Sequence, residues 1–69
     1  MENKHEICEA LLPVLRRTRA LRDLEDLEYH VYPAEEVHAI FRDGYTKKIN
    51  VECDSGLAMI RDIVNHIEL

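Results

Sequence analysis

Between Leu27 and Cys53 the apolar side chains fall on every second position in three successive runs. Leu27, Tyr29 and Val31 alternate with Glu28, His30 and Tyr32; Val37, Ala39 and Phe41 with His38, Ile40 and Arg42; Ile49, Val51 and Cys53 with Lys48, Asn50 and Glu52. A strand turns successive side chains to opposite faces, so a period of two predicts three half-buried antiparallel strands, apolar on one side only. Few arrangements accommodate that pattern in a chain of 69 residues.

Parity limits the register, because a slip of one residue carries every side chain to the other face. Pairing Val31 with Val37 leaves Tyr32-Pro33-Ala34-Glu35-Glu36 as the first loop and sets His30 opposite His38 on the outer face. In the second hairpin a two-residue Asp43-Gly44 turn would put the apolar sets on opposite faces. A three-residue Arg42-Asp43-Gly44 loop, with Gly44 left-handed, pairs Phe41 with Tyr45 and Val37 with Ile49. Parity favours the bulged turn.

Helical spacing flanks the strands. Ile7, Leu11, Val14, Leu15, Thr18 and Leu21 recur at intervals of three and four. Pro13 interrupts them, removing the hydrogen bond to the Glu9 carbonyl. Proline suits a first helical turn, so we expect a main helix starting near Pro13 behind a looser arm or short helix over residues 1–12. The alternative is one kinked helix from about Lys4 to Asp23. At the other end Asp54 or Ser55 caps a second helix, with Leu57, Ile60, Ile63, Val64 and Ile67 as its apolar stripe. The expected fold is α+β, in the order α-β-β-β-α, a three-stranded antiparallel meander with both helices on one face. Residues 1–69 make one domain.

Hydrophobic residues at 46% and charged residues at 33% are a globular balance. A pocket of the usual ~300–1,000 Å³ would compete with so small a core, which argues against an enzyme. Ser55 is the only serine, no glycine-rich phosphate loop is present, and neither cysteine has an adjacent base. No apolar run approaches the ~20 residues of a membrane span, and no signal-like segment follows Met1, so we expect a cytoplasmic protein without membrane contact. Cys8 and Cys53 are then reduced, partly buried thiols. With no Cys-x-x-Cys and no His-x-x-x-His, the sequence predicts no cofactor or metal.

Nine Lys and Arg against fourteen Asp and Glu give a net charge of −5. That balance suits a basic protein partner better than a nucleic acid. The candidate partner-binding residues are the acids Asp23, Glu25, Asp26, Glu28, Glu35 and Glu36 at the first-helix exit and first hairpin, with Tyr32. His30, His38 and Ile40 join them on the outer sheet face, where the histidines are polar filling, a pH-sensitive pair or half a metal site. A second reading uses Arg16, Arg17 and Arg19 with Lys47 and Lys48 to bind an anionic ligand, a nucleic acid or nucleotide. Against it, Arg19 and Arg22 pair with Asp23 and Asp26 at four-residue spacing if the first helix continues. A third reading closes the open sheet face in a homodimer, a common remedy for a marginal core.

The order and length of the elements resemble the double-stranded RNA-binding domain. That resemblance implies lysines on phosphates at the start of the last helix, where this chain has Asp54-Ser55-Gly56-Leu57-Ala58-Met59, an acid and no lysine. The stretch from Gly44 to Ile63, Gly-Tyr-Thr-Lys-Lys-Ile-Asn-Val-Glu-Cys-Asp-Ser-Gly-Leu-Ala-Met-Ile-Arg-Asp-Ile, resembles a pattern in short proteins of Firmicutes phages and prophages. It covers about a third of the chain and implies a genomic context with no assigned activity. Small acidic phage proteins commonly occupy a surface on a host enzyme. The expectation is therefore a non-enzymatic inhibitor of a host defence protein, such as a CRISPR-Cas nuclease, that covers a basic channel.

Overall fold

Asn3 begins the first helix: its side chain accepts the Glu6 N–H at 3.1 Å, which satisfies one of the free amides of the first turn. The structure, a computed structural model, describes residues 3–67. Its elements are α1 (Lys4–Arg16), β1 (Leu24–His30), β2 (Glu36–Phe41), β3 (Thr46–Asn50) and α2 (Gly56–Ile67). The α-β-β-β-α order is as expected.

Helix α1 starts at Lys4, as in the one-helix alternative, rather than near Pro13. Residues 4–12 are helical rather than a loose arm, and exposed Pro13 lies inside the helix. A proline costs a helix interior about 3 kcal/mol, while each fully buried large apolar side chain returns about 1.5–3 kcal/mol. Cys8 and Leu15 are buried, and Ile7, Leu11 and Leu12 pack beside them, so the apolar face carries the helix through. It does not reach Asp23. The Arg17 N–H bonds to the Val14 carbonyl, and both the N–H and the hydroxyl of Thr18 bond to that of Leu15, closing the last turn. Val14 faces solvent, and Cys8 takes the core position instead.

The sheet has the order β1-β2-β3, antiparallel throughout. Leu27, Val37, Ala39 and Ile49 are buried on its inner face, with Tyr29 and Phe41 half-buried there. Strand β1 also buries Leu24, whose parity is opposite to that of Leu27. A bulge between Leu24 and Asp26 inserts one residue and brings both leucines to the core.

In the first hairpin Tyr29, not Val31, pairs with Val37. This shift of two residues keeps the parity but leaves Val31 70% exposed in the loop, which contains a cis Tyr32–Pro33 bond. Glu28 therefore faces His38, and His30 faces Glu36, so the two histidines are diagonal neighbours rather than directly opposed. The second hairpin follows the parity argument. Val37 pairs with Ile49, the Phe41 N–H bonds to the Tyr45 carbonyl, and Gly44 has φ +93°.

Ser55 caps α2, its hydroxyl accepting the Ala58 N–H at 3.1 Å. Gly56, Met59, Ile63 and Ile67 are the buried positions, while Leu57 and Val64 face outward. The apolar stripe is wider than the surface it covers, and the sheet receives only one side of it. Val51 is buried after β3, but Cys53 is exposed in a turn with φ +67°, so only Cys8 is a core thiol. Burial raises the Cys8 thiol above its ordinary pKa. Core residues of both helices cluster with the inner-face residues of the sheet, and no described element covers the outer face. Among the described residues no helix is long and apolar enough to cross a membrane.

Candidate functional site

The register assembles the outer face row by row. Asp26, Ile40 and Thr46 form one row, Glu28, His38 and Lys48 the next, and His30, Glu36 and Asn50 the third. Residues two apart on a strand share a face, so Glu28 lies beside His30 and Glu36 beside His38. His30 Nε2 is 3.1 Å from Glu28 Oε1, and His38 Nε2 is 3.0 Å from Glu36 Oε1. The imidazoles stack across the strands, with centroids 4.0 Å apart and planes inclined by 25°. Each histidine thus has a glutamate along its own strand and another across from it.

One donor atom from each of Glu28, His30 and His38 lies within 4.8 Å of the others. The direct His30–His38 pairing expected from sequence gives way to this diagonal stack with two carboxylates built in. A signal for it exists in the sequence. Glu-x-His occurs twice, at Glu28-Tyr29-His30 and Glu36-Val37-His38, in adjacent strands of alternating pattern. Reading the apolar positions alone passes over it.

The other candidate residues scatter. Asp23 and Glu25 are exposed at the start of β1, and the half-buried Asp26 accepts the Leu27 N–H at 2.8 Å. Tyr32 is 86% exposed in the first loop. His5 and Glu9 of α1 face Asp26, Glu28 and His30 across a shallow groove along the free edge of β1.

Glu35 turns into the fold. Lys4 Nζ donates to its Oε2 at 3.0 Å, the Tyr29 hydroxyl donates to the same oxygen, and its carbonyl accepts the Val51 N–H. The bonds from Tyr29 and then Lys4 lower the Glu35 carboxyl pKa, and the bond to Glu35 pushes Tyr29 up to about 12. Glu35 is thus a structural tie, and nothing in the sequence pattern marks it as one.

The two lysines of the anionic-ligand reading do not share a face. Strand β3 turns Lys47 and Lys48 to opposite faces, with Lys47 beside Ala39 and Lys48 beside His38. Because α1 ends at Arg16, the expected helical pairs Arg19–Asp23 and Arg22–Asp26 do not form. Among the described residues no carboxylate lies within ion-pair distance of Arg16, Arg17, Arg19 or Arg22. Near α2, Asp54 has its carboxyl pKa raised, first by a shared hydrogen bond with Asp62 and then by burial. No family model matches this chain, and no curated protein or solved structure matches it at a significant level.

Proposed function

We propose that this chain is a non-enzymatic binding protein that docks on a basic surface of another protein through its uncovered sheet face and first hairpin loop. The observation that supports this most is the composition of that face. Asp26, Glu28 and Glu36 share the face with half-buried Ile40 and the histidine stack, Lys48 is the one lysine in those rows, and Tyr32 stands exposed in the adjoining loop. An aromatic and an aliphatic side chain beside three acids suit a protein interface, where apolar groups contribute affinity and charge steers encounter. The net charge of −5 acts in the same direction. Taken with the likeness to short phage proteins, the reading becomes an inhibitor of a host defence protein, for example a CRISPR-Cas nuclease, acting in the host cytoplasm by covering its basic channel.

The test is affinity capture from a host lysate with three baits: the natural chain, an Asp26→Lys/Glu28→Lys variant, and Tyr32→Ala. A partner held by the natural chain should be released as salt rises and lost from both variants, since exposed charge pairs are screened within about 10 Å at 0.1 M salt. Retention independent of salt and of both variants would remove the electrostatic docking mechanism. A second reading has one observation in its favour, the arginines around the end of α1, which have no carboxylate partner among the described residues. It predicts that duplex RNA or DNA shifts in a binding assay and that Arg16→Ala/Arg17→Ala abolishes the shift. A homodimer through the sheet face would show in sedimentation at high protein concentration.

A further inference from the structure

The geometry points to a divalent transition-metal site on the outer sheet face, with Glu28, His30 and His38 as its protein ligands and zinc as the type ion. Two imidazoles and a carboxylate are a donor set suited to borderline ions such as Zn²⁺ and Co²⁺. The three residues come from paired neighbouring strands, so the backbone fixes their spacing before any metal arrives.

Distances support the assignment. Zinc bonds of about 2.0–2.1 Å in a tetrahedron place adjacent donors about 3.3 Å apart. His30 Nε2 and Glu28 Oε1 already stand 3.1 Å apart. The widest separation in the triad is within 4.8 Å, so closure requires a movement of about 1.5 Å by side chains alone. The side chains can make that movement because His30 and Glu28 are 40% and 46% exposed. Chelation parts the stacked rings, since both cannot aim a lone pair at one ion while lying face to face.

Glu36 completes the arrangement. Its carboxylate holds His38 Nε2 at 3.0 Å, as the carboxylate partners of metal-bound histidines do, and so sets that ring's orientation and tautomer. Three protein ligands leave at least one coordination position for water. Two glutamates beside the ion outweigh the single lysine across from His38, Lys48, and in a chain of net charge −5 they favour a dication electrostatically. The assignment needs no partner protein and stands apart from the docking reading.

The experiment titrates the full-length chain with Co²⁺ and, separately, with Zn²⁺ in a non-chelating buffer. One equivalent of Co²⁺ should give visible d–d absorption without a thiolate charge-transfer band, and one equivalent of Zn²⁺ should displace it. His30→Ala and His38→Ala should each abolish binding while keeping the far-ultraviolet circular dichroism of the natural chain. Glu36→Gln should weaken binding by about 10–100-fold without changing the stoichiometry. Binding that persists in both histidine variants, a thiolate band lost in Cys53→Ser, or no binding at micromolar metal would overturn the assignment.

Discussion

Glu35 joins three distant parts of the chain: Lys4 at the start of α1, Tyr29 in β1, and Val51 through its own carbonyl. The pKa shifts give the sign of its pH dependence. The Glu35 carboxyl is lowered from 4.5, so its contribution is present above that value and is lost as pH falls through the folded-state pKa. The Tyr29 phenol is raised from 10.0 to about 12, so its contribution is complete below pH 10 and is lost as pH climbs toward 12. The bond therefore stabilises the fold across the interval between those windows. Replacing Tyr29 by Phe should cost about 1 kcal/mol there, discounted for its partial exposure. In so small a domain that is a fall of about 4–8 °C in melting temperature, narrowing at either pH extreme. Melts of both proteins from acid to alkali would check it. A difference that stays constant across pH would contradict the role given to Glu35.

Among the elements, α1 is the one assembled against its local preference. Pro13 is exposed and fills no core position, so its effect is confined to the missing backbone hydrogen bond and the crowding of the preceding turn. Pro13→Ala should stabilise the protein by about 1–3 kcal/mol, read as a higher denaturant midpoint at unchanged slope. The hairpins contrast with it. Gly44 at φ +93° meets a local requirement that the sequence states openly. The first hairpin meets a tertiary one: with Tyr29 paired to Val37, Glu35 bonds to both Lys4 and Tyr29.

For the whole molecule the decisive quantity is how little core there is. A stability of about 0.05–0.15 kcal/mol per residue allows this chain about 3–10 kcal/mol in total. Ile63 is fully buried beneath the sheet, and Ile63→Ala removes about 2–5 kcal/mol. That one change should leave much of the protein unfolded at 37 °C, visible as lost thermal cooperativity in circular dichroism. His30→Ala on the outer face should leave the melt unchanged in the absence of metal. The contrast separates the two sides of the sheet: the inner one holds the fold together, and the outer one is free to hold something else.

The three strands, the bulged second turn, the capped second helix and the inward set Leu27, Val37 and Ile49 were written in the sequence, because alternation, left-handed glycine and capping are properties of neighbouring residues. Leu24 in the core, the continuous helix through Pro13, the inward Glu35 and the meeting of Glu28 with both histidines were settled only on folding. A bulge inverts parity, and a two-residue slip preserves it, so no count of alternating positions can detect either. The slip accompanies contacts between residues far apart in the chain, Lys4 with Glu35 and Val51 with Glu35, and the bulge accompanies the burial of Leu24 in the core.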